Sequence, residues 1–148
     1  MGLITNEMKE LIEKQKLGYV ATVSPDNTPN LSPKGTLTVW NDEHLIFADI
    51  KSPKTMSNLE ENPSVEINVV DPISRKGYRF KGVSTIISSG TEFDKIIIHY
   101  MDKGIKSKIN KIVLIKVTST NQITSPLYDL GYSEEDIKKR WKKHYLAP

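Results

Sequence analysis

The sequence predicts a mainly β fold, an antiparallel six-stranded β-barrel with peripheral helices. Its candidate strands are short, rich in β-branched and aromatic residues, and joined by tight turns, which is typical of antiparallel pairing. Strands and helices do not alternate regularly, so a Rossmann-type parallel sheet is not predicted. The 148 residues are 37% hydrophobic and 26% charged, which suits one globular core. We therefore expect a single domain over residues 1–148.

The first predicted elements are a helix and two strands. Apolar residues at helical spacing predict a helix over residues 5–16, with Thr5 as its N-cap and Gly18 as the residue that stops it. Strands follow over residues 18–24 and 29–40, separated by a turn. The second of these strands contains Pro33 and Gly35. Because proline cannot donate a hydrogen bond to a neighbouring strand, this strand is expected to be bent, bulged or at an edge.

The remaining elements follow from the same signals. A third strand over residues 44–49 leads to a helix that begins near Ser52, with Pro53 at its first position. The other predicted elements are strands over residues 65–70, 77–88 and 111–117 and helices over residues 91–103 and 133–145. The total is six strands and four helices.

Composition excludes several kinds of chemistry. The chain has no cysteine, which excludes disulfides, thiolate metal sites and thiol catalysis. Its three histidines are far apart in sequence, so no metal site is predicted. The chain also lacks the G-x-S-x-G, Walker A, G-x-G-x-x-G and H-E-x-x-H motifs.

Charge and hydropathy indicate the expected surroundings of the protein. The net charge is +3, and the basic cluster at residues 138–143 is typical of a solvated helix face. We expect no nucleic-acid partner; binding through these C-terminal lysines is a weaker alternative. No apolar run approaches the ~18 residues that span a membrane. A cytoplasmic location without membrane contact is predicted.

A phosphate-binding segment is predicted where the third strand meets the second helix. The first turn of a helix has unpaired N–H groups and a partial positive charge. Ser52, Lys54 and Thr55 add two hydroxyls and an ammonium group there. The alternative is that Ser52 only caps the helix and the lysines face water.

Lys34 is a second candidate phosphate ligand. It lies between Pro33 and Gly35, and a bend there would expose backbone N–H groups and redirect side chains. The alternative is an edge-strand lysine that prevents aggregation.

These segments, in this order, resemble the pyridoxamine 5′-phosphate oxidase-like FMN-binding split-barrel superfamily. More narrowly, the chain resembles its small flavin-nucleotide-binding proteins. The matching stretches cover nearly the whole chain: residues 18–23, 30–35, 45–49, 52–55, 58–59, 62–63, 65–70, 77–82 and 125–131, and a terminal helix with Trp141.

The resemblance implies a homodimer of split barrels with FMN at the subunit interface and a small-molecule redox substrate. The strand after the first hairpin and the helix after the third strand would hold the phosphate. The implied cofactor residues are Ser32, Pro33, Lys34, Gly35, Ala48, Asp49, Ser52, Lys54, Thr55 and Asn58. The donor near N1 of the flavin ring stays open between a backbone N–H of residues 32–35 and a side chain. The stretch Tyr78–Phe80 is expected to offer the partner an apolar surface.

The chain departs from true pyridoxamine-phosphate oxidases, which carry a C-terminal Arg-x-His motif. None of Arg75, Arg79 and Arg140 has a histidine two residues later. The leading hypothesis is therefore an FMN-dependent oxidoreductase of unknown substrate. The alternatives are a non-catalytic dimer that binds or senses flavin, and the same fold with F420 or haem.

Overall fold

A computed structural model of the chain describes residues 2–147 and contains a seven-stranded antiparallel sheet. The strands are β1 Gly18–Val23, β2 Pro29–Lys34, β3 Thr38–Val39, β4 His44–Asp49, β5 Ser64–Asp71, β6 Lys76–Ile87 and β7 Lys111–Thr124. The helices are α1 Asn6–Gln15, α2 Pro53–Glu61, α3 Thr91–Asp102, α4 Pro126–Asp129 and α5 Glu134–Leu146. The predicted barrel class with peripheral helices is confirmed.

The predicted strand count was wrong by one, because residues 29–40 form two strands. β2 pairs with β1 at one edge of the sheet, whereas β3 pairs with β4 at the other edge. The bend predicted at Pro33 and Gly35 is therefore a complete crossover between two edges.

This crossover requires the sheet to curl. The strand order is β2-β1-β5-β6-β7-β4-β3, so β2 and β3 are as far apart as the sheet allows. A flat sheet of this size would be about 29 Å wide. The chain from Lys34 to Thr38 spans at most about 14 Å. The two edges must therefore approach each other, which gives the split barrel its shape.

Helix α1 fills the inside of the curled sheet. Thr5 caps it as predicted, accepting a hydrogen bond from the Met8 N–H. It ends at Lys16, in the left-handed conformation, two residues before the predicted Gly18. Its buried side chains join an internal core with inward residues of the strands: Ile4, Met8, Ile12, Val20, Leu45, Phe47, Ile67, Phe80, Val113 and Ile115.

Helix α3 covers the outer side of β4 and β7. Leu45 and Phe47 of β4 face the internal core, whereas the alternate residues Ile46 and Ala48 pack under α3. Strand β4 is thus buried on both faces. Its end, where the predicted site begins, is held by two layers of packing.

Within residues 2–147, the outer face of β2, β1, β5 and β6 has no such cover. Tyr19, Leu31 and Val83 are 44%, 67% and 47% exposed. The expectation that Tyr78–Phe80 offers a partner an apolar surface was wrong, because the Phe80 side chain is buried in the internal core. Side chains alternate between the two faces of β6, and that of Phe80 points inward. The exposed apolar side chains of the outer face are those of Tyr19 on β1, Leu31 on β2 and Val83 further along β6.

The C-terminal segment packs against the β5–β6 turn. Strand β7 runs seven residues past its predicted end and leads into the short helix α4, which was not predicted. The Arg75 guanidinium lies 3.4 Å from the centre of the Trp141 ring, and the Tyr128 hydroxyl donates to the Ser74 carbonyl at 2.6 Å. Across residues 2–147, the helices are all too short or too polar to cross a membrane.

Candidate cofactor site

Lys34 is a buried lysine at the end of β2. Its side chain lies with Nζ 5.8 Å from the centre of the Phe47 ring and donates a hydrogen bond to Ser52 Oγ at 2.6 Å. Burial lowers the pKa of Lys34, and the negative charge of Asp49 opposes this effect. An edge lysine would point into water, so its 8% exposure excludes that interpretation. The ammonium group has three N–H donors, and one of them is used by the Ser52 hydroxyl. The others can donate to an anion.

Ser52 occupies the N-cap position of α2 but does not cap it through its side chain. The predicted N-cap position is confirmed, and the Ser52 hydroxyl accepts from Lys34. The first backbone bond of the helix runs from Met56 N–H to the Ser52 carbonyl. Within residues 2–147, the N–H groups of Lys54 and Thr55 therefore have no acceptor, and Pro53 has no N–H. This open helix end is electropositive and lies beside a buried ammonium group.

Asn58 fixes the position of α2 against β1. It is fully buried, and its Nδ2 donates to Thr22 Oγ1 at 3.0 Å and to Ser24 Oγ at 3.4 Å. An amide at 0% exposure cannot touch a ligand directly. Asn58 therefore positions the helix end, and its Oδ1 is a buried acceptor without a partner within residues 2–147.

Ala48 and Asp49 end β4 beside the crossover. The Ala48 N–H donates to Thr36 Oγ1 at 3.0 Å, and the Thr36 carbonyl accepts from the Tyr100 hydroxyl at 2.8 Å. The crossover is thus tied to β4 on one side and α3 on the other. Burial raises the pKa of Tyr100, so this hydroxyl stays a donor.

The ten predicted residues fall into three groups. Lys34, Ser52, Thr55, Asn58 and Ala48 are buried, and Ser32 and Asp49 are half-buried. Pro33, Gly35 and Lys54 are exposed. The β2 end and the start of α2 are brought together through the Lys34–Ser52 contact. Lys54 lies towards the β1–β2 turn, where hydrogen bonds from Thr28 chiefly lower the pKa of Asp26 and the charge of Lys54 contributes least.

The residues that hold the site in place are not among those predicted from the sequence. Thr22 and Ser24 fix Asn58, and Thr36 fixes the crossover. Residues 22 and 24 lie on the same face of a strand, so the side-chain period of two predicts that both point the same way. The sequence does not predict that they meet Asn58 of α2.

A cavity of about 300 Å³ adjoins the crossover at Gly35 and Thr36, away from the Lys34–Ser52 contact. Its polar side holds Thr38, which donates to Glu13 Oε1 at 2.8 Å, and Lys103, which bonds both of these residues at 2.9 Å. Burial raises the pKa of Glu13, but these hydrogen bonds and the charge of Lys103 outweigh it and lower the pKa overall. The Glu13 carboxylate and the Lys103 ammonium neutralise each other, so this pair adds no net charge to the cavity.

Across the described residues 2–147, no three His, Asp or Glu side chains group closely enough to hold a metal ion. The donor set at the crossover and the α2 start is cationic and suits an anion.

Residues 4–122 match the family model described as pyridoxamine 5′-phosphate oxidase. The chain belongs to this family. No curated protein sequence matches it.

Solved structures agree with membership of the pyridoxamine 5′-phosphate oxidase family. HupZ of Group A Streptococcus is 32% identical, with 83% of this chain and 96% of HupZ covered and a TM-score of 0.75. An FMN-binding protein from Syntrophomonas wolfei is 18% identical over 82% of this chain and 87% of its own, with a TM-score of 0.69. An F420 reductase is 21% identical over 80% and 98%, with a TM-score of 0.63. The last two show the shared fold.

Proposed function

We propose that the protein binds FMN and acts as an oxidoreductase on a small-molecule redox substrate. The observation that carries this proposal is the buried Lys34 ammonium beside the uncapped start of α2. A phosphate group would accept from Lys34 and from the free N–H groups of Lys54 and Thr55. The FMN-binding and F420-reducing relatives of the same fold support a flavin-type ligand.

The residues present fit a phosphate for a further reason. A buried ammonium is costly unless it is paired, and the only full counter-charge acting on Lys34 within residues 2–147 is that of Asp49. A phosphate dianion would supply the missing charge. FMN, once bound, supplies the redox chemistry, while this chain binds the phosphate and orients the ligand along the crossover.

Purified protein is expected to carry FMN. Release of the ligand by acid, followed by chromatography against FMN, riboflavin, F420 and haem standards, identifies it. Recovery of F420 or haem would replace FMN in the proposal. A colourless protein that also fails to bind added FMN would contradict the proposal as a whole.

A homodimer is proposed from the uncovered outer face of the sheet. Tyr19 and Leu31 are exposed there on the adjacent strands β1 and β2. Two shallow depressions lie on this face. The lining of one, of about 280 Å³, includes Tyr19, Leu31, Glu66 and Arg79. The lining of the other, of about 500 Å³, includes Ala21, Val23, Lys81 and Val83. A second copy would bury this mixture of apolar and charged residues.

Leu31→Asp is expected to convert a dimer into a monomer, because it places a charge in the centre of the proposed apolar contact. Light scattering at micromolar concentration measures the mass. Leu130→Asp is the matched control, since Leu130 is 73% exposed but lies at the end of α4, outside this face. A wild-type monomer that retains flavin would contradict the proposed dimer.

The second candidate is a flavin-binding dimer without turnover: within residues 2–147, the one carboxylate whose charge acts on Lys34 is that of Asp49, which serves as its counter-charge. NAD(P)H oxidation by the flavin-loaded protein separates the two candidates. True pyridoxamine-phosphate oxidation is not proposed, because the Arg-x-His motif is missing. A cytoplasmic location stays a prediction from the sequence.

A further inference from the structure

A second surface feature lies away from the proposed cofactor site, between α3 and the segment that follows it. Phe93, Ile97 and Met101 are spaced four residues apart and form one stripe along α3. Ile105 and Ile109 stand opposite this stripe. Together with Gly104, Lys106, Ser107 and Lys108 they line a groove of about 560 Å³, the α3 groove.

The α3 groove is unusually apolar for exposed surface. Helix α3 buries Ile96 and Tyr100 against the sheet, and Phe93 and Ile97 pack partly against the same cluster, whereas Met101 at the end of the stripe is 64% exposed. An amphipathic surface helix has a polar outer face, so an exposed apolar residue that continues a half-buried apolar stripe leaves surface on which an apolar ligand can pack.

The charges at the α3 groove have one sign. Lys106 and Lys108 belong to its lining, and no acidic residue does. Within residues 2–147, neither lysine makes an ion pair. The groove therefore combines an apolar channel with two available ammonium groups. This combination complements an aliphatic chain that ends in an anionic group.

We propose that the α3 groove binds a free fatty-acid anion. The aliphatic chain would lie along the stripe of Phe93, Ile97 and Met101, and the carboxylate would accept from Lys106 and Lys108. The α3 groove has no lining residue in common with the Lys34–Ser52 contact, so this proposal is independent of flavin binding.

Titration calorimetry with decanoate, below its micellar concentration, tests the proposal on the full chain. One decanoate is expected to bind per chain, about sixteenfold more tightly than octanoate, because each of its two additional buried methylenes contributes roughly fourfold. The double variant Lys106→Met with Lys108→Met should weaken decanoate about tenfold and leave decanol binding unchanged. Lys95→Met removes an exposed lysine from another face of α3 and should change nothing.

Substitution at Met101 tests the location without touching the core. Met101→Glu should weaken decanoate at least tenfold by repulsion, whereas the neutral Met101→Gln should have a smaller effect. Decanoate binding that none of these variants alters would overturn the proposal. So would decanoate that fails to bind the wild type, including the case in which Met101→Glu dissociates an oligomer and the groove is an interface between copies of this chain.

Discussion

Lys34→Met is expected to weaken FMN binding by about 1.5–3 kcal/mol, or roughly tenfold to a hundredfold, while riboflavin affinity stays nearly unchanged. The substitution keeps the aliphatic packing over Phe47 but removes the ammonium that we propose bonds the phosphate. Riboflavin has no phosphate, so it reports on the rest of the site. Fluorescence quenching of each flavin on titration with protein measures both affinities.

Two lysine variants serve as comparisons for Lys34→Met. Lys51→Met removes an exposed lysine just before α2 and should leave both affinities unchanged. Lys54→Ala should weaken FMN less than Lys34→Met, because Lys54 is exposed and water already solvates its charge. Equal losses for FMN and riboflavin in Lys34→Met would show that Lys34 supports the fold and does not hold the phosphate.

Phe47→Ala is expected to lower the free energy of unfolding by about 3–5 kcal/mol. The Phe47 ring is fully buried in the internal core, opposite Val113 of β7 and beside the Lys34 side chain. Its removal leaves a cavity where β4, β7 and the crossover meet. A domain is typically stable by about 5–15 kcal/mol, so the loss would be a large share of the total.

Urea unfolding followed by circular dichroism, at one protein concentration and without added flavin, measures this loss. Phe47→Leu keeps most of the volume and should cost less than about 1.5 kcal/mol. Phe93→Ala truncates a half-buried ring on the outside of α3 and should cost less than Phe47→Ala. A loss at Phe47 no larger than that at Phe93 would contradict the placement of Phe47 in the internal core.

Local signals in the sequence were enough for most elements and for half of the proposed site. The cap at Thr5, the helix start at Ser52 and Pro53, and the bend at Pro33 and Gly35 each depend on neighbours along the chain. Capping, turn geometry and side-chain periodicity act over a few residues, so they can be predicted without the fold. The position at which α2 starts was predictable for this reason, whereas its lack of a side-chain cap was not, because the Ser52 hydroxyl accepts from the distant Lys34.

Tertiary structure alone decided how these pieces meet. Residues 29–40 have the local character of one bent strand, yet they pair at two opposite sheet edges because curling brings those edges together. Lys34 reaches Ser52 across 18 positions, and Asn58 reaches Thr22 across 36. Such pairs depend on which strands become neighbours, and that is determined by burial of the whole core. The burial of Lys34, on which the proposed phosphate contact depends, follows from that packing and from no local pattern.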